Sequence, residues 1–485
     1  MSLIKINYIE ILIFINIYQN LATITNRLKA EKQHKAYRSL KVSFSAIEFS
    51  MKYIDPRVLV NRTVKIRDSS LFLRDIQGKN LTMHLNDFDS IYLVGAGKAT
   101  AGMTEALYRL LNGMISDSAI TVPYHTVLQI SGVSITRAGH PIPDKAGVLG
   151  TQRIIDIVKK AKKSDLIFVL ISGGGSALMP MPAQGMTISD KQQITNTIMS
   201  RGASIHEINI IRKHLSRIKG GQLIRFVNNS CTVVSLILSD VIGDNMEIVA
   251  SGPTVPDSST FKDAAMILKK YDMWGNKIGD SPAKKIILDG LAGVINDTPK
   301  PGDPIFENVH NLLIGNNDLF CKKASAHLRR YGLQVLNLGS SFDGEAQNFG
   351  TLLAKLAKGI KKPSVPFAFV LGGETTVKMN RGKNNGMGGR NQEAIVAAAI
   401  KSHFRFGGDT TILCMGTDGI DGNSTAAGGF LTPKTMSAIK EKKIDLKEYL
   451  QNHNSHNILK KLDSLIITGR TGTNVNDISI ICRLN

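Results

Sequence analysis

Disulfides, zinc sites and stacking platforms are what this chain has least material for. Its 485 residues include four cysteines, Cys231, Cys321, Cys414 and Cys482, scattered with no CxxC pair. That spacing suggests neither a disulfide framework nor a cysteine zinc site, and it fits a reducing compartment. Cys231 and Cys414 fall in apolar, strand-like runs and read as reduced core residues. Tryptophan occurs once, at position 274, and aromatic residues make up 6% of the chain, too few for a base-stacking nucleic-acid surface. No apolar run is long enough to cross a bilayer; the burst Ile11–Ile15 is bounded by Glu10 and Asn16. Acid is short as well: 39 Asp and Glu stand against 60 Lys and Arg, a formal charge of +21. Such a field draws anionic metabolites and nucleotides. No recognition motif turns it toward nucleic acid.

Glycine is plentiful, at 44 residues, and it recurs directly after short apolar runs. The clearest case is Asp165–Pro182, DLIFVLISGGGSALMPMP. Leu166–Ile171 is continuously apolar, which predicts a strand buried on both faces of a parallel sheet. Ser172, Gly173, Gly174, Gly175 and Ser176 then form a turn whose N–H groups and hydroxyls make a cradle for a carboxylate or phosphate. The same grammar of apolar strand, Gly/Asp/Ser loop and helix recurs at Ile91–Val94 into GAGKA, Val233–Leu238 into Ser239–Asp240, and Asn311–Ile314 into Gly315–Asn316–Asn317. It returns at Phe367–Leu371 into GGETTV and Thr411–Met415 into GTDGIDG. This predicts an α/β protein with parallel or mostly parallel sheets, and ligands beyond the carboxyl ends of the strands. Ile478–Cys482 reads as a final edge strand, and a helix is expected from Ser43 to Pro56.

Residues 1–42 break with this grammar. Between Arg27 and Lys41 lie six Lys or Arg and one acid, Glu31, as in an organelle-targeting leader. The segment is expected to be a dispensable extension. Cytoplasmic location is the first expectation and mitochondrial the alternative. A large domain is expected over 43–360, a linker at 361–366 (KKPSVP), and a smaller domain over 367–485.

Several residues carry candidate chemistry. Gly95 and Gly97 open a dinucleotide fingerprint that fails at its third glycine, where Thr100 stands. What remains is Lys98 at a helix start, a cation facing an anion. Gly373, Glu374 and Thr375 offer backbone donors, a carboxylate and a hydroxyl. Arg390, ahead of Asn391 at a helix start, can fork onto a phosphoryl group. Asp418 and Asp421 can take a hydroxyl proton or help hold Mg²⁺, as can Asp240 and Asp244; aspartates before glycine also simply build turns. His140, His206 and His214 lack metal-ligand spacing and read as structural.

Together these motifs resemble glycerate kinases of the MOFRL type. The matching stretches are VGAGKA (94–99), AGHPIPDKAG (138–147), ISGGGSAL (171–178), SIHEINIIRKHLSRIKGG (204–221) and LSDVIGDNMEIVASGPTVPD (238–257). They continue with GGETTV (372–377), GMGGRNQE (386–393), GTDGIDGNSTAAG (416–428) and TGTNVND (471–477). The resemblance spans roughly 43–482. It implies two Rossmann-like α/β domains with an active-site cleft between them, and phosphorylation of D-glycerate at C2 by ATP with Mg²⁺. It makes Lys98, Arg390 and Asp418 the catalytic candidates. Substrate or nucleotide would be held by Ser172–Ser176, Asp240, Asn316, Gly373, Glu374, Thr375, Asn391 and Asp421. The metal ligands and the oligomeric state are left open. Arg470 stands where the family usually has proline, and Thr425 where it commonly has a second acid. Two other readings are carried: a hydroxypyruvate reductase using NAD(P)H, against which the broken fingerprint argues, and a non-catalytic anion-binding protein.

Overall fold

The computed structural model describes residues 38–228, 231–274, 281–359, 365–379, 386–402 and 408–484. The expected leader therefore lies outside the described residues up to position 37, as do residues 361–364 of the expected linker 361–366. The chain divides into two compact units: one runs from Asp55 to Asn316, and the other joins the segment before Asp55 to Asn317 and everything after it.

Helix α1 (Arg38–Tyr53) belongs to the second unit. It starts five residues before the expected position, so residues 38–42 are part of the fold rather than of an extension. The cause is visible at Ser39, which is fully buried with Leu40. Its hydroxyl donates to Asp409 at 2.6 Å, and its N–H points to the same carboxylate.

The unit 55–316 opens with α2 (Pro56–Thr63), so Pro56 starts a helix as well as ending one; Asp55 caps it by accepting the Arg57 N–H at 2.8 Å. A small antiparallel sheet follows, β1 (Val64–Arg67), β2 (Ser70–Arg74) and β3 (Asn80–His84). The main elements are then β4 (Ser90–Ala96), α3 (Thr100–Leu111), β5 (Ile115–Pro123), β6 (Ser134–Ala138), α4 (Lys145–Val158), β7 (Asp165–Ser172) and the single turn α5 (Gly175–Leu178). They continue with α6 (Ile188–Ser200), α7 (Ile205–His214), β8 (Thr232–Leu238), α8 (Phe261–Lys270), α9 (Pro282–Leu291) and β9 (Val309–Gly315). Six strands form one sheet in the order β6-β5-β4-β7-β8-β9, and every neighbouring pair is parallel. The chain enters at the centre with β4, winds outward to β6, then crosses back and winds outward on the other side from β7. The direction of winding reverses between β4 and β7, which is where doubly wound sheets open a ligand crevice. All eight residues of β7 are buried, as its unbroken apolar run requires. Ile154, Ile155, Val169, Ile171, Val233 and Leu313 make the core around it.

The second unit continues with α10 (Asn317–Arg330), β10 (Gln334–Asn337), α11 (Ala346–Gly359), β11 (Phe367–Gly373), α12 (Arg390–Ser402), β12 (Asp409–Gly416) and β13 (Gly428–Leu431). Three short helices, α13 (Pro433–Glu441), α14 (Leu446–Gln451) and α15 (Ser455–Lys461), precede β14 (Leu465–Ile466) and β15 (Asp477–Leu484). Its sheet order is β10-β11-β15-β12-β13-β14. Among the described residues only β10 and β11, the strands on either side of 361–366, pair in parallel; the other strand pairings of this sheet are antiparallel. The α/β class holds, but this sheet is mixed rather than mostly parallel. The expected edge strand is also corrected: β15 lies in the sheet interior, hydrogen-bonded to β11 on one side and β12 on the other. Its residues are buried almost throughout, which is the pattern of an interior strand.

Candidate active site

In the parallel sheet the two glycine loops are stitched together at the switch point. The Lys98 N–H donates to the Gly173 carbonyl at 2.8 Å, and the Ala99 N–H donates to the Ser172 hydroxyl at 3.0 Å. This close approach requires glycine at 97, whose φ is +149°; a Cβ there would sit 2.0 Å from Ser172 Oγ. Gly174, at φ +82°, faces the His140 ring, which a Cβ would meet at 2.8 Å, with Lys98 Cγ next at 3.3 Å. Lys98, His140 and the 172–176 loop thus converge on one spot at the carboxyl ends of β4 and β7. His140, expected to be structural, lies within this site. Its ring sits in the loop whose other end, Asp144, caps α4 by accepting the Gly147 N–H at 2.9 Å.

Ser176 contacts the Ser251 hydroxyl at 3.0 Å and receives the Lys219 ammonium at 2.8 Å. Asp240 and Asn316 follow the neighbouring strands β8 and β9, and the Asn316 amide donates to the Asp244 carboxylate. The expected ligand residues of this unit therefore share one edge of the sheet. A separate cavity of about 290 Å³, lined by His214, Arg217, Arg225, Phe226 and Phe261 among others, includes none of them.

The second unit gathers a different set. Asp477, the first residue of β15, is in register with Gly373 at the end of β11 and with Gly416 at the end of β12. Arg390 begins α12 and makes a two-point contact with Asp477, Nε at 2.5 Å and Nη2 at 3.0 Å; its Nη1 meets Glu374 at 2.9 Å. Burial works against the guanidinium charge, but Asp477 and then Glu374 outweigh it and hold its pKa above the usual value. Asp477 ends the quoted motif TGTNVND, yet a turn-rich motif gives no sign of which of its residues grips an arginine.

Asp421 is 2% exposed and fully engaged at the start of α12, where it accepts the N–H groups of Asn391 at 3.1 Å and Gln392 at 2.9 Å. Burial pushes its pKa up to about 6, against the pull of the Gln392 donors. That is a helix-capping task, and Asn391 shares in it through its side-chain amide at 3.3 Å. Gly373, at φ +149°, lies so close to Phe342 that a Cβ would meet its carbonyl at 1.9 Å. Thr375 is 6% exposed beside it. Asp418 is half-buried after β12 and accepts the Ile420 N–H at 3.2 Å.

Glycine loops and cations at the strand ends of a doubly wound sheet, with an arginine clamped between two acids in a second unit, define an α/β enzyme for small anionic substrates. Two family models match the sequence: a domain of unknown function (DUF4147) over residues 44–283, and the MOFRL family over 367–477. A glycerate 2-kinase of Pyrococcus horikoshii is 37% identical, over 89% of this chain and 94% of its own. A D-glycerate 2-kinase of Thermotoga maritima is 38% identical, over 88% and 99%. The crystal structure of the Thermotoga maritima glycerate kinase superimposes with a TM-score of 0.76 at 35% identity, covering 92% of this chain and 99% of that one. Relatives from Agrobacterium vitis, 34–35% identical, are provisionally named hydroxypyruvate reductases. The chain belongs to the glycerate 2-kinase family, with a C-terminal MOFRL domain.

Proposed function

We propose that this protein transfers the terminal phosphoryl group of ATP to the C2 hydroxyl of D-glycerate, giving 2-phosphoglycerate and ADP. The observation that carries the reading is the pair of stitched glycine loops at the switch point, with Lys98 at their junction. Phosphoryl transfer is mainly positioning and charge neutralisation. The 172–176 loop presents backbone donors to an anionic group, and Lys98 meets the charge that develops on the transferring phosphoryl. Arg390 supplies a second cation, held in a fixed orientation by Asp477 and Glu374. Asp418 accepts or orients the C2 hydroxyl proton. Asp421 and Asn391 support α12 rather than hold ligand.

Among the described residues no three of His, Cys, Asp and Glu stand together as a metal cage. That donor set suits Mg²⁺ carried by the nucleotide, which takes most of its ligands from phosphate and water, with Asp240 the carboxylate at the end of β8. When bound, the ion would neutralise phosphate charge. Among the described residues no helix is long and apolar enough to cross a membrane.

Incubating the purified protein with ATP, Mg²⁺ and D-glycerate, and following the product by phosphorus NMR, tests the reading. A resonance for 2-phosphoglycerate is the expected result; phosphate on C3, or no transfer, overturns it. Hydroxypyruvate reduction is favoured only by the provisional names of two relatives, and NADH oxidation on adding hydroxypyruvate would reveal it. The buried Thr100 at the start of α3, where a dinucleotide site needs glycine, argues against that outcome.

A further inference from the structure

A strongly basic chain is expected to carry its cations in solvent, yet Lys191, Lys219 and Arg212 of the unit 55–316 are withdrawn from it. Lys191, early in α6, is 5% exposed, and among the described residues its ammonium has no hydrogen-bond partner. Lys219 is 1% exposed and donates to both the carbonyl oxygen and the hydroxyl of Ser176, in the glycine loop, at 2.8 Å each. Arg212, on α7, is half-buried.

Lys191 and Arg212 stand on helices packed through one apolar core, Ile194 and Ile198 of α6 with Ile208 and Ile211 of α7. Burial, then Arg212, lowers the Lys191 pKa to about 7; burial, then Lys191 and Arg212, holds Lys219 well below its usual value. Among the described residues no carboxylate pairs with any of them. The adjacent Lys213 shows the contrast, since it takes the nearby acids Asp257 and Glu247 in ion pairs of its own. Neutral polar groups flank Ser176: Ser251 contacts it and donates to Asn209 Oδ1 at 3.2 Å. Gln192, the neighbour of Lys191, donates to the Pro143 carbonyl, so α6 is anchored to the loop that carries His140 toward Gly174.

Like charges buried together without a counter-charge are unfavourable alone, and an anion entering among them removes the penalty. We propose that Lys191, Arg212 and Lys219 form an oxyanion subsite beside the Ser172–Ser176 loop, completed by a carboxylate or phosphate oxygen of a bound substrate. Resting on the kinase reading, the two sources are the carboxylate of glycerate and a phosphate of ATP. A subsite filled by the carboxylate would select hydroxy acids over neutral polyols.

The test is calorimetric binding of D-glycerate and, separately, of ATP to the wild type, Lys191→Met and Arg212→Gln. Lys191→Met removes no hydrogen bond and relieves repulsion, so the free variant should melt no lower than the wild type. Its affinity for one of the two ligands should fall at least ~30-fold, with the other within about 2-fold. Loss confined to glycerate assigns the carboxylate; loss confined to ATP assigns a phosphate. Unchanged affinity for both ligands in both folded variants overturns the subsite. Because binding is read without turnover, a wild type that binds both ligands yet forms no 2-phosphoglycerate would sink the proposed reaction and leave the subsite standing.

Discussion

The two units handle positive charge in opposite ways. In the parallel-sheet unit, Lys191 and Lys219 are buried and, among the described residues, have no acid partners. In the mixed sheet, Arg390 is compensated before any ligand arrives, by Asp477 at one edge and Glu374 at another. An uncompensated cation has its binding capacity in hand and waits for an anion. A compensated one has spent part of its field on its own acids and gained a fixed direction in return. The first arrangement suits gripping a ligand. The second suits aiming a guanidinium at charge that exists only during transfer.

The largest test of this contrast is removal of the aimed or junction cation. Lys98→Ala and Arg390→Lys should each lower kcat on the order of 10²–10³ while KM changes less, as measured by steady-state kinetics. A lysine at 390 cannot reproduce the planar fork across Asp477 and Glu374. Near wild-type kcat in both folded variants would break the assignment. Next in size is Asp477→Asn, which keeps Arg390 but loosens its aim; a fall in kcat on the order of 10-fold to 10² is expected, with a smaller change in KM. Gly174→Val should weaken ligand affinity on the order of 10-fold or more, because a side chain at φ +82° is strained and a Cβ there sits 2.8 Å from the His140 ring. Calorimetry and a melting curve on the same sample separate lost binding from lost folding.

The smallest effect concerns the N-terminal boundary. Deleting residues 1–37 should leave the melting temperature nearly unchanged. Ser39→Ala strips Asp409 of a buried hydroxyl donor and should cost roughly 1–2 kcal/mol in denaturant unfolding. A deletion that runs through residue 42 should cost more than the point substitution.

Much of this was legible in the sequence. Apolar runs that end in glycine marked the strands and the crevice, and GAGKA with SGGGS marked the junction the structure stitches together. What stayed hidden was pairing and burial. ISIIC reads alike for a buried edge and a buried interior strand, so the position of β15 between β11 and β12 needed its partners. Lys191 and Lys219 look in sequence like any solvated lysine on a helix or turn. Ser39 sits in a basic, leader-like stretch, and only Asp409, far along the chain, shows that it is buried. Asp421 announced itself as a loop acid, yet its hydrogen bonds to α12 give it a capping task.

The interior place of β15 has a consequence for how the chain is made. A ribosome releases residues in order, and β4 to β9 are all available long before β15 appears, so the parallel unit has every strand it needs while synthesis continues. The other unit includes α1 and cannot join β11 to β12 until β15 has left the exit tunnel. During that interval the facing edges of two apolar strands wait for the strand that separates them. A nonsense codon just ahead of β15 would make that waiting permanent, and such a product is expected to be recovered in aggregates or by the proteolytic machinery rather than as a shortened enzyme.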